Sequence, residues 1–418
     1  MTWALAAFLG LWLFSAVACL SIAAQNIMFL GMAAWAVTLL QERRWPASPA
    51  PMGTIYLFVA LALLASLGSP DQAHSLFTWR KWLLVLILPY VADALPSRRA
   101  LEAVLGSLLF FSALWCLGAS LVYLAKPLGF WMQGHSWAET GARWLTDIDW
   151  RAGSGSGGYQ VLGTCSALLL LLFTGLALSD AQWRRPLVFV CLAALGLGLL
   201  LTLTRGAWIA ALAGMVFLFV VKKPAYLIGL GLAALAVAVT FSGSPFMKRM
   251  KSVTDPNNDS NRERIYMAQA GLSLVREHPW LGVGDSLASF EKDGQPVLGN
   301  FLTHRSAEAV AWYRSKGVAD KEQGHLHSDL WQVAAMYGLP ALGLLLLFFA
   351  RLLALALRSA KQGGALWSGG LGLGFAAALV AWWVNGLAEY NFGSMQSSFV
   401  LWFLCGLFFA SLRHKDRA

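Results

Sequence analysis

The chain has 418 residues, of which 58% are hydrophobic and 12% charged, and its formal net charge is +10 at pH 7. Its mean hydropathy of +0.60 is typical of an integral membrane protein and excludes a large soluble domain. The positive charge does not indicate nucleic-acid binding, because the basic residues lie in short clusters between apolar runs.

Apolar runs of about 20 residues recur along the whole chain, and each is long enough to cross a bilayer core of roughly 30 Å. We predict twelve spans, which start near residues 3, 21, 54, 76, 100, 158, 186, 205, 224, 328, 365 and 394. The expected fold is an all-α integral membrane protein with about twelve transmembrane helices and one large extracytoplasmic loop.

The distribution of lysine and arginine predicts the orientation of these spans. The basic clusters are Arg43-Arg44, Arg98-Arg99, Arg184-Arg185, Lys222-Lys223, Arg358 with Lys361, and Arg413 with Lys415 and Arg417. With twelve spans, all of them lie on one side of the membrane, which the positive-inside rule makes cytoplasmic. Both termini are then inside.

A polar interval at residues 242–327 divides the chain into three segments within one membrane domain. Residues 1–241 hold predicted spans 1–9, residues 242–327 form the large loop with short helices, and residues 328–418 hold spans 10–12.

Two helices are predicted within the polar interval. The S-x-x-E pattern at Ser260–Glu263 is a capping box that predicts a helix running to Glu277. His278-Pro279 ends this helix, because the residue before proline avoids helical dihedral angles. Its expected apolar stripe is Ile265, Ala268, Leu272 and Val275. A second short helix is expected over Ala307–Arg314.

Several cationic residues are predicted on the outer side, where the usual bias disfavours them, and a polyanionic ligand would explain them. Arg205 separates two apolar runs, and a charge at membrane depth is functional by default; the alternative is an arginine snorkelling to lipid phosphate. Arg262 and Arg264 fall in the first turn of the interval helix, where solvated helix charges are the alternative. Arg80 and Lys81 lie near the outer end of the fourth span.

The histidines at the end of the interval favour acid–base chemistry over metal binding. His325 and His327 would face about 200° apart on a helix, which disfavours one shared ion. A single histidine acting as general base is favoured, and two surface histidines at a span entrance are the alternative. Asp147-Ile148-Asp149 resembles a metal-binding acidic pair, but the flanking tryptophans favour an interfacial loop. The five cysteines lie in apolar runs without C-x-x-C spacing, so we expect no metal and no cofactor.

Three motifs occur in a characteristic order. They are Thr204-Arg205-Gly206-Ala207-Trp208, then Arg262-(x3)-Tyr266 leading to His278-Pro279-Trp280-Leu281-Gly282-Val283-Gly284, and finally His325-Leu326-His327-Ser328 followed by Tyr337-Gly338-Leu339-Pro340. Over roughly residues 200 to 340 this order resembles the bacterial O-antigen ligase and polymerase superfamily. Ser328 replaces the commonest asparagine of that pattern, and Tyr266 replaces a tryptophan.

The resemblance implies a membrane glycosyltransferase with a GT-C-like architecture in the bacterial inner membrane, its active site facing the periplasm. Such an enzyme transfers a glycan from undecaprenyl pyrophosphate to a sugar hydroxyl of lipid A–core oligosaccharide, by a metal-independent inverting displacement among membrane lipids. By the same resemblance we expect His327 as the general base, with His325 as second choice, and Arg205 as a catalytic cation. The remaining pyrophosphate-binding candidates are Arg262, Arg264, His325, Lys81 and Arg80.

Other functions stay open at this level. An O-antigen polymerase or a protein oligosaccharyltransferase would share the donor chemistry and differ in the acceptor; the short chain and single large loop favour the ligase. A lipid or solute transporter would need ionisable groups deep within several spans and inverted repeats. The predicted spans here are almost free of aspartate, glutamate and histidine.

Overall fold

The structure is a computed structural model that describes residues 3–17, 22–46, 51–140, 151–153, 158–240, 242, 245–285, 291–292, 295–296, 307–315, 325–363 and 367–415. Within these residues the chain is helical, apart from one short antiparallel pair of strands, β1 (Glu291–Lys292) and β2 (Gln295–Pro296). The predicted all-α class is therefore confirmed.

A helix occupies each position where a span is predicted. The first half contains α1 (Trp3–Val17), α2 (Ile22–Gln41), α3 (Met52–Leu67), α4 (Gln72–Trp79), α5 (Ile87–Ala94) and α6 (Arg98–Met132). The second part contains α7 (Gly158–Ser179), α8 (Pro186–Leu201), α9 (Arg205–Lys222), α10 (Tyr226–Thr240), α14 (Asp329–Gly363), α15 (Trp367–Gly386) and α16 (Met395–Lys415). A 3₁₀ segment, Arg80–Leu86, joins α4 and α5 into one span.

Seven spans among the described residues are long and apolar enough to cross a membrane, judged by length and composition alone. The fold is thus that of an all-helical integral membrane protein, and the number of twelve spans stays a prediction. Helix α15 lies at the centre of the bundle, where it packs against α7, α9 and α14. Phe375 and Trp382 on α15 are fully buried, as expected of a helix surrounded by other helices.

The polar interval contains three helices among its described residues: α11 (Pro245–Lys251), α12 (Asp259–Glu277) and α13 (Ala307–Ser315). Helices α12 and α13 lie where the sequence predicts them, and α12 ends at His278 as expected.

The predicted capping box of α12 is wrong. Asn258 occupies the N-cap position and its side chain makes no capping hydrogen bond. The Ser260 hydroxyl instead accepts a hydrogen bond from Arg264 Nη1 at 2.7 Å. The hydroxyl that would cap the helix in a capping box thus binds Arg264, one turn further along the helix.

The predicted apolar stripe of α12 is partly wrong. Val275 is buried as predicted and Ala268 and Leu272 are half-buried, but Ile265 is 52% exposed. The residues Met267, Ala270 and Leu274, which the stripe does not include, are buried. The cause is tertiary, because α12 packs on α14 and so buries the face toward that helix.

Two of the sequence motifs pair with each other through their backbones. The amides of Val283 and Gly284 donate to the carbonyls of Ala335 and Met336, at 3.0 and 2.8 Å, and Leu339 donates to the Pro279 carbonyl at 2.8 Å. Gly338 interrupts α14 with a φ of +82°, and a Cβ there would overlap the Trp280 carbonyl. This backbone clamp fixes the polar interval on α14.

Candidate functional site

A cleft of about 330 Å³ lies where α7, α9, α11, α12 and the turn after α15 meet, at one end of the bundle. Its ionisable lining is rich in arginine. These residues are Arg151, Tyr159, Arg205, Arg249, Glu263, Arg264, His327 and Glu389. Polar groups of Gln160, Thr204, Ser260 and Asn261 also line the cleft.

Arg205 begins α9 and is only 8% exposed. Its Nη1 donates to the carbonyl and the hydroxyl of Ser252, at 2.6 and 3.0 Å, and Nη2 donates to Asn258 Oδ1 at 3.4 Å. The guanidinium is therefore held by neutral oxygens of the polar interval, which turn it into the cleft.

His327 lies beside Glu389 on the cleft wall. The Nδ1 of His327 is 3.4 Å from Glu389 Oε2, and Gln160 Nε2 donates to the same oxygen at 3.3 Å. Arg264 forms an ion pair with Glu389 Oε1 and donates from Nε to the Ala388 carbonyl at 2.8 Å. The backbone of His327 is left-handed, with φ of +47°. Residues other than glycine seldom adopt this conformation, and when they do, it is often at a functional site.

The Glu389 carboxylate stays ionised in this arrangement. Burial raises its pKa, but the hydrogen bond with His327 and the charge of Arg264 outweigh burial and bring the pKa below its ordinary value. A charged acceptor beside Nδ1 favours the imidazole tautomer that carries its proton there, which leaves Nε2 free to accept one.

His325 lies against His327 but is not part of the cleft lining. The two rings are 4.1 Å apart and nearly perpendicular, and His325 Nδ1 accepts the His327 amide at 3.4 Å. Burial, followed by the neighbouring His327, lowers the pKa of His325 to about 4. His325 is therefore neutral at pH 7.

The other predicted site residues lie outside the cleft. Arg262 Nη2 donates to Asn257 Oδ1 at 3.4 Å. The Arg80 guanidinium lies 3.6 Å from the centre of the Phe77 ring. Lys81 lies within electrostatic range of Asp285 and His325. Of the seven predicted residues, the structure brings Arg205, Arg264 and His327 together in the cleft.

Four residues of the cleft are not among those predicted from the sequence. Arg151, Gln160 and Arg249 follow no motif, and Arg249 lies in the basic run Lys248-Arg249-Met250-Lys251, which is typical of a solvated helix. Glu389 gave a weak signal as an acidic residue in the turn between two apolar spans.

The described residues contain no cluster of three or more histidine, cysteine, aspartate or glutamate side chains arranged to hold a metal ion. Asp147 and Asp149 lie outside the described part of the chain, as does Cys19. The four cysteines that the structure describes are buried thiols.

Comparison with known families gives the region around the cleft an assignment. Residues 187–346 match the family model described as O-antigen ligase. Over these residues the chain is similar to the O-antigen ligase family. No curated protein matches the chain. Members of the O-antigen ligase family are membrane ligases and polymerases that resemble glycosyltransferases. The region that matches the O-antigen ligase model supplies Arg205, Arg264 and His327 to the cleft, and Gln160 and Glu389 come from the chain on either side of it.

Proposed function

We propose that this protein is an O-antigen ligase that transfers a glycan from undecaprenyl pyrophosphate to a sugar hydroxyl of lipid A–core oligosaccharide. The transfer is metal-independent and inverts the anomeric centre. The observation that carries the proposal is His327 beside an ionised Glu389 in an arginine-lined cleft of the family domain.

In this mechanism His327 acts as the general base. Glu389 holds the proton of His327 on Nδ1, so Nε2 takes the proton of the acceptor hydroxyl as its oxygen attacks the anomeric carbon. The bond between that carbon and the phosphate oxygen breaks, and the pyrophosphate leaves with the electron pair. General-base catalysis of this kind contributes roughly 10²- to 10⁴-fold.

Arg205 stabilises the leaving group. Negative charge grows on the pyrophosphate as the anomeric bond breaks, and a preorganised cation at that position lowers the barrier. Ser252 and Asn258 hold the Arg205 guanidinium in place before the substrate arrives. Arginine suits this role because its planar fork binds phosphate oxygens in pairs.

The site is assigned to the periplasmic face of the inner membrane. The basic clusters at Arg43-Arg44, Arg98-Arg99 and Lys222-Lys223 lie at helix ends opposite the cleft, and the positive-inside rule makes that end cytoplasmic. The division into residues 1–241, 242–327 and 328–418 then describes a membrane domain with a periplasmic loop over its active site. A GT-C-like architecture is part of the same proposal.

The test is glycan transfer by the purified protein in EDTA, with undecaprenyl-pyrophosphate-linked glycan and lipid A–core as substrates. Wild type is expected to transfer, and His327→Ala is expected to lose about 10²- to 10⁴-fold in rate. His135→Ala is the matched control, because His135 is exposed and stacks on Phe130 outside the cleft.

Two outcomes would overturn the assignment. Lengthening of the donor glycan with no use of the core acceptor identifies a polymerase. The absence of both reactions in folded protein favours a transporter.

A further inference from the structure

A second cavity, of about 270 Å³, lies between α6 and α8 at the end of the bundle opposite the arginine-lined cleft. The two helices touch further along their length, where a Cβ at Gly198 would lie 2.7 Å from the Cβ of Cys116. About 15 Å earlier on α6, at 1.5 Å per residue, the Cβ position of Gly106 has nothing within 4 Å. The helices therefore diverge toward their first residues and leave a wedge groove between them.

The walls of the wedge groove are apolar and open onto the outside of the bundle. Phe110 is 40% exposed and Leu187 is 59% exposed. Helix α6 is a candidate membrane span and α8 is a shorter apolar helix, so exposed side chains at this level contact acyl chains. The apolar lining consists of Gly106, Leu109, Phe110, Leu187, Val188 and Cys191.

The end of the wedge groove at the start of α8 carries an arginine that the described chain does not engage. Arg185 is exposed, precedes α8 and makes no capping hydrogen bond with its side chain. Its neighbour Arg184 differs, because Nε and Nη2 of Arg184 donate to the carbonyls of Ala177 and Leu178, both at 3.0 Å. Arg185 is therefore available to an anion in the groove.

Trp183 supplies a second donor to the same end of the wedge groove. The residue lines the groove, is only 8% exposed and packs its ring 5.7 Å from that of Phe173. Within the described residues its indole N–H has no hydrogen-bond acceptor. An indole nitrogen can only donate, and a buried donor without an acceptor costs free energy. A ligand oxygen would satisfy it.

The acidic residue of the lining does not cancel the charge of Arg185. Among the described residues this is Glu102, whose Oε1 accepts from Arg98 Nε at 2.8 Å, one helical turn earlier on α6. With that pair neutral, the wedge groove keeps one positive charge, that of Arg185. Its polar end thus suits a ligand with one negative charge and acceptor oxygens.

We propose that the wedge groove binds an anionic phospholipid. The phosphate diester accepts hydrogen bonds from Arg185 and Trp183, and an acyl chain lies along the apolar walls between α6 and α8. One negative charge balances Arg185, whereas a zwitterionic lipid brings a further cation to the same place. The proposal does not depend on the function proposed for the cleft.

The experiment counts lipids bound to the purified full-length protein by native mass spectrometry, during titration with phosphatidylglycerol or with phosphatidylcholine of the same acyl chains. Wild type should bind one phosphatidylglycerol more tightly than phosphatidylcholine. Arg185→Gln should weaken phosphatidylglycerol binding about 5-fold, the effect of one basic residue near a membrane surface, and abolish the preference. Arg358→Gln is the control, because Arg358 is exposed on α14 outside the wedge groove, and it should bind like wild type.

A second pair of variants tests the apolar part of the wedge groove. Gly106→Leu fills the space between the helices and should weaken both lipids about 10-fold, the effect of displacing about two methylene groups. Gly118→Leu is the control on the same helix, since its Cβ position is equally open but lies outside the groove. Gly106→Ala, with a smaller effect in the same direction, serves if Gly106→Leu does not fold.

Three results would overturn the proposal. The first is unchanged lipid affinity and preference in folded Arg185→Gln, or unchanged affinity in folded Gly106→Leu or Gly106→Ala. The second is displacement of phosphatidylglycerol by equal concentrations of glycerol 1-phosphate, which would identify a site for soluble phosphates. The third is a wild-type dimer that Gly106→Leu dissociates, which would make a second copy of the chain the occupant of the groove.

Discussion

At the scale of single residues, Glu389 connects parts of the chain that are remote in sequence. Its partners His327, Arg264 and Gln160 are 62, 125 and 229 residues away. A sequence pattern reports neighbours within a few residues, so it assigns no function to Glu389, which lies between two apolar runs. The fold makes the same carboxylate the buried partner of the proposed base.

We expect Glu389→Gln to lower kcat for glycan transfer by between about 10-fold and 10⁴-fold, with KM changed much less. The amide keeps the shape of the side chain but no longer fixes the proton on Nδ1 of His327. Steady-state kinetics with varied donor would measure the effect, and Glu277→Gln at the exposed end of α12 is the control. An unchanged kcat, or a loss confined to KM, would show that Glu389 does not orient the base.

At the scale of elements, the start of α9 depends on a close approach to α15. A Cβ at Gly206 would lie 2.7 Å from Asn385 Oδ1 on α15. Asn385 is itself fixed, because its Nδ2 donates to Thr164 Oγ1 at 2.9 Å and to Asn391 Oδ1 at 2.8 Å. The glycine that follows Arg205 is therefore needed for packing, and it lets α9 present Arg205 to the cleft.

Gly206→Ala is expected to reduce the free energy of unfolding by about 1–3 kcal/mol, since the added methyl group must displace α9 or α15. Denaturation of the detergent-solubilised protein would measure this change. Gly229→Ala in α10 is the matched control, because nothing lies within 4 Å of its Cβ position. Equal unfolding free energies for the two variants would contradict a tight contact at Gly206.

At the scale of the whole molecule, the end of the bundle opposite the cleft has a charge cluster of its own. The Asp93 side chain at the end of α5 is 1% exposed. It pairs with Arg44 Nη2 at 2.7 Å and Arg413 Nη1 at 3.0 Å, and accepts from Trp35 Nε1 at 2.9 Å. The cluster joins α2, α5 and α16 near both ends of the chain, far from the proposed chemistry.

Asp93→Asn should therefore destabilise the protein without changing its kcat. Loss of the Asp93 charge should lower the free energy of unfolding by about 3 kcal/mol at most, because Arg44 and Arg413 remain partly exposed to solvent. The thermal unfolding midpoint and the transfer rate, measured well below that midpoint, test the two halves of this expectation.

The control for Asp93→Asn is Glu102→Gln, which breaks an exposed pair with Arg98 and should cost less than about 1 kcal/mol. A reduced kcat in folded Asp93→Asn would mean that the two ends of the bundle are coupled.

The sequence by itself determined where the helices lie and which segments carry polar groups. Hydropathy and the effects of proline and glycine are local. The end of α12 at His278 and the position of α13 could therefore be predicted from the residues of those segments alone. The position of Arg205 between two apolar runs made it a candidate, and motif order favoured His327 as the base. Both residues lie within the region that matches the O-antigen ligase family model.

Only the tertiary structure decided which charges meet. Helix packing selected the buried face of α12, kept Arg262 out of the cleft and brought Arg249 into it. Electrostatic and hydrogen-bonded partners depend on distances in space between residues that are tens to hundreds of positions apart. Those distances cannot be predicted from spacing along the chain. The length and hydrophobicity of each helix can be, because they depend only on consecutive residues.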